Sequence, residues 1–338
     1  MSFLRLIKRP AVNAAGAFSR MQPVLNIRAK LIIRNESRCL SSDTFASGVW
    51  TTISQSTPVA YVQQGLINIH DISGLPWWAS IILSTVVLRS AVTLPLAIYQ
   101  NKIIARLEKI TLEMPDLVKE LKKETAYAMK KFNWTEQQAR MMYNHSLKKQ
   151  WNNLVIRENC HPAKTMILLW GQIPLWIVMS VAIRNMALML PDPNSIEAQI
   201  TFAELTLGGM AWIPNLTDVD HSLILPLAMG LINIVIIEIQ NVARTKPPTK
   251  LQKILTNMFR GLSVLMVPVA ATVPSCLCLY WVTSSACGFS QNLLLMSPRF
   301  KRLVGIPKVP SEIARPYEHI KTSFAAKYNS LLRKIRLH

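Results

Sequence analysis

The stretch that decides the fold is residues 77–99, WWASIILSTVVLRSAVTLPLAIY. As an α-helix these mostly apolar residues extend about 35 Å, enough to cross a hydrocarbon core of roughly 30 Å. One charge, Arg89, lies just past the middle. A cation at that depth costs at least about 2.5 kcal/mol unless it meets water or a polar partner. Its long side chain could instead reach the nearer headgroups. We favour the interpretation that Arg89 lines a hydrated concavity inside the bilayer.

The composition points to a membrane protein with several spans. The chain has 338 residues, is 50% apolar and carries a net charge of +20, which fits neither an ordinary soluble protein nor a disordered one. Its five cysteines do not form a secreted disulfide framework. The motifs GxGxxG, GxxxxGKS/T, HExxH, CxxC and GxSxG are absent from the sequence. We therefore expect no enzyme activity, no cofactor and no metal site.

The N-terminal residues have the composition of a mitochondrial transit peptide. Residues 1–38 contain eight Lys or Arg and one acid, and such basic, acid-poor segments direct proteins to mitochondria. We expect the transit peptide to be residues 1–40, with cleavage between Leu40 and Ser41. A secretory signal would need an uninterrupted apolar region after the first charges, which is missing. A nucleic-acid-binding arm would not account for the apolar spans that follow.

Five apolar spans are predicted: residues 77–99, 163–185, 221–240, 254–273 and 275–297. The last two come from one uncharged stretch, residues 261–297, which is too long for a single crossing, so Pro274 is the expected corner. Cations gather in the segments 100–162, 241–253 and 298–338, whereas 41–76 and 186–220 contain no Lys or Arg. The positive-inside rule places the basic segments in the matrix. The N-terminus then lies in the intermembrane space and the C-terminus in the matrix, with the protein in the inner membrane.

The basic segment 100–162 has a helical pattern and predicts a hairpin of two helices in the matrix. Pro115 is expected to open a new helical segment, and Asn133-Trp134 to end it. Thr135 with Gln138 forms a capping box that opens a second helix. The hairpin is either a solvated connector or a mobile lid over anionic headgroups or incoming chains. The acidic segment 186–220, with Trp212, is expected to pack at the opposite interface.

Polar side chains within the spans are the candidate functional residues. Most of the hydroxyls are expected to hydrogen-bond within or between helices. Glu238, near the end of the third span, can reach Arg89 by depth, but it fits the matrix interface equally well. An Arg89–Glu238 ion pair is therefore one hypothesis for the buried cation.

Motifs follow one another in a specific order between residues 75 and 300. They are Arg89 with TLPL at 93–96, the hairpin at 100–162, WGQIPLW at 170–176, WIPNLT at 212–217 with Asp220 and LP at 225–226, and LYWVTSS at 279–285 with SQ at 290–291. Together they resemble the YidC/Oxa/Alb family of membrane-protein insertases. Each motif is weak alone, but the ordered set is specific.

The resemblance implies an all-α polytopic membrane protein, in which five transmembrane helices form an insertase core with a matrix-side helical hairpin. It also implies a hydrophilic groove open to the matrix and to lipid, in which Arg89 matches the groove arginine. The candidate groove residues are Arg89, Thr93, Gln172, Asn233, Glu238, Ser284, Ser285 and Gln291.

Within the family the chain looks most like the mitochondrial cytochrome c oxidase assembly branch, which translocates the C-terminal domain of oxidase subunit 2. The resemblance implies subunit 2, possible other inner-membrane substrates, oxidase assembly factors and the bilayer as partners, without a specific nucleic acid. The segment 159–162, NCHP, departs from the bacterial pattern, and the tail lacks a long ribosome-binding extension. Two alternatives stay open, a general co-translational insertase and a non-translocating assembly scaffold. A solute carrier is disfavoured, since five spans without internal repeats do not make two matching halves.

Overall fold

A computed structural model describes residues 50–244 and 248–336, and these are helical apart from turns and two isolated β-bridges. The expected transit peptide, with Leu40 and Ser41, lies outside the described residues. Residues 50–56 belong to the first of two compact units, and residues 50–54 are helical. The larger unit, from Thr57 onward, contains the helices named below.

The first three helices lie between Thr57 and Phe132, and the third extends into the segment predicted as a hairpin. Helix α1 spans Thr57–Ser73 and ends at Gly74, whose positive φ of 61° suits glycine. Helix α2 spans Trp77–Leu88, a π-helical turn spans Arg89–Thr93, and α3 spans Leu94–Phe132. These three segments form one continuous helix of 56 residues. The expected interruption at Pro115 is therefore wrong, because Pro115 lies inside α3.

The helix continues through Pro115 because a second helix packs along it. Helix α4 spans Glu136–Arg157, and an apolar cluster joins it to α3 on both sides of the proline. Its members are Ile103, Leu107, Ile110, Met114, Leu117, Trp151, Leu154 and Cys160. Arg157 adds an ion pair of 3.2 Å to Glu113. Such packing compensates for the hydrogen bond that the proline lacks.

The turn between α3 and α4 follows the local sequence signals. Asn133 takes the left-handed conformation that ends α3, with φ of 51°. Thr135 caps α4, and the reciprocal bonds between Thr135 and Gln138 are both present. The predicted helix end and the predicted capping box are confirmed.

The remaining helices follow after a 3₁₀ turn, Pro162–Met166. Helix α5 spans Ile167–Ala187, α6 spans Ile196–Leu207 and α7 spans Ile224–Val242. Helix α8 spans Lys250–Ala270 and α9 spans Ser275–Met296, so the predicted corner at Pro274 is confirmed. A short α10, Pro298–Leu303, and a terminal α11, Pro316–Arg336, complete the fold.

Three helices in the described ranges are long and apolar enough to cross a membrane: Trp77–Phe132, Pro162–Ala187 and Ile224–Val242. Helices α8 and α9 do not reach the same apolarity. Cations at Lys250, Lys253 and Arg260 occupy the first half of α8, and α9 is rich in small polar residues. The two further predicted spans therefore remain predictions.

Helix α9 lies at the centre of the bundle and contacts α2, α5, α7 and α10. Its first two turns, from Ser275 to Trp281, are buried without interruption. The loop before α7 holds the first residues of α9 in place. Ser275 N donates to Asp218 O at 2.7 Å, and Cys276 N donates to Leu216 O at 2.9 Å. This anchoring sets the rotation of α9 and decides which of its side chains face α2.

Candidate functional site

The site is built on the π-helical turn Arg89–Thr93, which interrupts the first long helix. The turn leaves the Arg89 carbonyl with three donors: Leu94 N, Thr93 Oγ1 at 2.7 Å and Gln291 Nε2 at 3.1 Å. Gln291 lies on α9, so its amide ties the turn to the central helix. Single π turns within α-helices occur frequently at functional sites.

The Arg89 side chain is buried against α9. Its guanidinium donates to Ser284 Oγ from Nε at 3.1 Å and also from Nη2. Arg89 is only 9% exposed, and in the described part of the chain no carboxylate pairs with it. Gly288, one turn after Ser284, lies beside the guanidinium, and a Cβ there would make an ordinary contact of 3.7 Å with Nη1. The cation is thus held by a neutral hydroxyl.

A small cavity of about 10 Å³ adjoins the guanidinium. This volume is close to the minimum that holds one water molecule. Its polar lining comes from three helices and consists of Thr85, Arg89, Thr93, Gln172 and Tyr280. In this conformation the buried cation therefore has polar neighbours and space for about one water.

The structure brings five of the eight predicted groove residues together. Arg89, Thr93, Ser284 and Gln291 are joined by hydrogen bonds, and Gln172 lines the adjoining cavity. The other three lie outside this group. Ser285 faces another side of α9, and Asn233 and Glu238 lie on α7 away from the lining of the cavity.

Arg89 and Glu238 do not form the ion pair that the sequence made possible. Glu238 Oε1 instead pairs with Arg260, at 2.5 Å to Nη2 and 2.8 Å to Nε. That pair joins α7 to α8, whereas Arg89 binds α9. The depth of the two residues along their spans does not specify how each helix is rotated about its axis. In the structure this rotation turns Arg89 towards α9 and Glu238 towards α8.

The lining residues that the predicted groove set does not contain include Thr85, Trp176 and Tyr280. Each lies one helical turn from a predicted residue, since Thr85 precedes Arg89, Tyr280 precedes Ser284 and Trp176 follows Gln172 by four positions. Residues four apart share a helix face. That spacing was the signal available for finding them.

A much larger cavity of about 740 Å³, here called the vestibule, lies between α3, the end of α7, the start of α8, the end of α9 and the residues after α10. Its polar and charged lining includes Asn101, Glu108, Arg244, Asn292 and Glu312. Asn292 follows Gln291 on α9 and lies eight residues, or about 12 Å, beyond Ser284. The vestibule thus lies on the hairpin side of the Arg89 cavity.

Among the residues that the structure describes, no cluster of three His, Cys, Asp or Glu side chains is arranged to hold a metal. Cys160 is fully buried in the α3–α4 cluster, and this burial raises the pKa of its thiol. The neighbouring His161 accepts a hydrogen bond from Ala163 N at 3.1 Å, so its Nδ1 caps the 3₁₀ turn.

The sequence of the chain is similar to those of several known proteins. A family model described as "60Kd inner membrane protein" matches residues 68–302. A Mus musculus protein named "Cytochrome c oxidase assembly protein COX18, mitochondrial" is 42% identical over 84% of both chains. The Homo sapiens protein of that name is 40% identical over 86% of both. The Arabidopsis thaliana "Mitochondrial inner membrane protein OXA1" is 27% identical over 75% of this chain and 53% of its own length. The chain therefore belongs to the 60Kd inner membrane protein family, which is the YidC/Oxa1 family that its motifs resemble.

Proposed function

We propose that this chain is a mitochondrial inner-membrane insertase that moves a hydrophilic segment from the matrix to the intermembrane space. Its substrate is the C-terminal domain of cytochrome c oxidase subunit 2, so the protein acts in oxidase assembly together with oxidase assembly factors. Transport lowers a solvation barrier and includes no covalent step or cofactor.

The location and the role in oxidase assembly are inferred from the relatives and from the charge pattern, and subunit 2 as the substrate from the resemblance to the oxidase assembly branch. The two mammalian relatives are named as mitochondrial oxidase assembly proteins. The basic segment 1–38 of this chain agrees with that compartment. With α8 and α9 as the fourth and fifth spans, the three cation-rich segments face the matrix together.

The observation that carries the function is the buried guanidinium without a carboxylate partner. Burying a cation is costly unless it is paired, yet the described residues give Arg89 only the Ser284 hydroxyl and the cavity beside it. A structural ion pair would neutralise this charge permanently. An uncompensated cation instead attracts any carboxylate that enters the bundle.

A substrate carboxylate can replace Ser284 as the acceptor. A carboxylate offers the guanidinium two ionised oxygens in place of one neutral hydroxyl, and it can accept two parallel N–H···O bonds, so the exchange is favourable where water is scarce. The cavity of about 10 Å³ is too small for a peptide, so α2 and α9 must separate during transport. In the described residues, Ser284 holds the guanidinium and Gln291 holds the π-helical turn to α9, so this separation breaks few side-chain bonds.

Mitoplasts from cells that express each variant provide the test. The measurement is the fraction of newly made subunit 2 whose C-terminal domain is accessible to protease added from the intermembrane-space side. We expect Arg89→Ala to abolish accessibility and Arg89→Lys to retain part of it, since the lysine keeps the charge. Lys321→Ala is the control, because Lys321 is an exposed cation on α11, outside the Arg89 group.

A photo-crosslinker in place of Trp176, which lines the cavity, supplies a second measurement. An insertase captures subunit 2 at this position while its tail is in transit. Subunit 2 export that is equal in Arg89→Ala and wild type would refute the role of Arg89. Capture of subunit 2 at position 176, together with export that Arg89→Ala leaves unchanged, would indicate a non-translocating scaffold.

A further inference from the structure

The residues that follow α10 fold back and line the vestibule. Gly305 lies two residues after the end of α10 and has a φ of 72°. Ile306 N then donates back to Lys301 O at 2.8 Å. This glycine-terminated pattern reverses the chain direction. Ile306 is then buried among Ala97, Ala105 and Leu295, and the far end is held where the Tyr317 hydroxyl donates to Leu293 O at 2.9 Å. Residues 304–316, here called the strap, therefore form one wall of the vestibule.

A buried carboxylate closes the strap onto α10. The Glu312 side chain is only 6% exposed. Its Oε2 accepts from Arg302 Nη2, and its Oε1 lies 3.7 Å from Lys301 Nζ. The second distance is too long for a hydrogen bond, and Oε1 accepts no hydrogen bond within the described residues. One oxygen is thus well bound and the other is held only by charge attraction.

This incomplete pairing makes the contact exchangeable. A buried polar atom without a hydrogen bond reduces the net stability of the contact that holds it. Lys301 and Arg302 remain 22% and 38% exposed, so both cations can be reached from solvent while Glu312 is bound. A carboxylate from another chain meets the same two donors. Because the strap does not hold it, it can bring both of its oxygens to hydrogen-bonding distance.

We propose that the strap is a displaceable cover over the vestibule, in which Glu312 occupies the binding site for an acidic residue of an entering substrate segment. Lys301 and Arg302 are the receiving cations. Entry of the substrate exchanges its carboxylate for that of Glu312 and frees residues 304–316 from α10. The inference rests on the proposed function, because the displacing ligand is a translocating acidic peptide.

The cover is tested by labelling the Asn292→Cys variant with a hydrophilic maleimide, since Asn292 lines the vestibule. The full chain is held in phosphatidylcholine nanodiscs, and the chain without the added cysteine supplies the background. We expect Glu312→Gln to raise the labelling rate about tenfold, the change that loss of one charge-assisted hydrogen bond produces in an opening equilibrium. Asp116→Asn is the matched control, because it removes an exposed ion pair to Lys119 on α3, outside the strap. If Glu312→Gln does not fold, Lys301→Met serves as the second variant and should also raise the rate.

Peptides identify the ligand. A 20-residue peptide with several Asp should raise the labelling rate of the Glu312 protein, and the same peptide with Asn at those positions should not. Equal effects of the two peptides, or equal rates for Glu312→Gln, Asp116→Asn and the parent, would overturn the inference. Opening by anionic lipid alone would also overturn it, since headgroups would then be the ligand.

The two proposals fail separately. Unchanged labelling of Glu312→Gln together with loss of subunit 2 export in Arg89→Ala would remove the strap and leave the proposed function standing. Faster labelling together with export that is indifferent to Arg89→Ala would remove the proposed function and leave a displaceable strap.

Discussion

The bond between Arg89 and Ser284 offers the most direct test of the site. Ser284→Ala removes the one acceptor shared by Nε and Nη2. Interhelical hydrogen bonds in membrane proteins average about 0.6 kcal/mol and reach about 1.7 kcal/mol. A charged donor roughly doubles the strength, whereas a water in the adjoining cavity would restore part of the loss. We therefore expect a coupling of about 1–2 kcal/mol between Arg89 and Ser284.

A double-mutant cycle measures this coupling. The free energy of unfolding is determined in mixed micelles for the wild type, Arg89→Met, Ser284→Ala and the double variant. We expect Ser284→Ala to destabilise the wild type but to have little effect beside Arg89→Met. The single change Arg89→Met should be neutral or stabilising, because an apolar side chain avoids the cost of burying a cation.

Ser285→Ala is the matched control, since Ser285 is the adjacent hydroxyl and lies outside the Arg89 group. A coupling below about 0.5 kcal/mol would fall within the ordinary error of additivity. That result, or an equal loss in Ser285→Ala, would refute the view that Ser284 holds the guanidinium.

Two further predictions concern packing and thiol chemistry. Gly230→Ala should lower the free energy of unfolding by about 1–3 kcal/mol, because its Cβ would lie 2.4 Å from Val267 Cγ2. Gly261→Ala, with open space around its Cβ, should leave it unchanged or raise it by up to about 1 kcal/mol in the same assay; equal losses would contradict the close contact. Cys160 should resist maleimide at neutral pH until the protein unfolds, since burial raises its thiol pKa. The raised pKa also means that its contribution to stability decreases as pH rises above the ordinary thiol range. Mass spectrometry of the peptide containing Cys160 checks the labelling, and rapid labelling of the folded chain would show that the thiol is accessible.

The local signals in the sequence were sufficient for many helix boundaries. Asn133, Thr135 and Pro274 each act through their own backbone preferences or hydrogen bonds to neighbouring residues, so their effects do not depend on distant packing. Pro115 was misjudged for the opposite reason. Whether a proline ends a helix depends on the packing around it, and here the α4 cluster holds α3 together.

In the candidate site, too, some features follow from the local sequence and others from tertiary packing. That residue 89 is a cation deep in an apolar helix is a property of the sequence alone, as are the ordered motifs and the one-sided distribution of charge that led to the family. Only the tertiary structure decided that Arg89 meets Ser284 and Gln291, roughly two hundred positions away, while Glu238 meets Arg260. Periodicity sets which residues share a face of one helix, but the rotation of α9 against α2 depends on contacts such as those of Ser275 and Cys276 with the loop before α7. Those contacts exist only once the chain has folded.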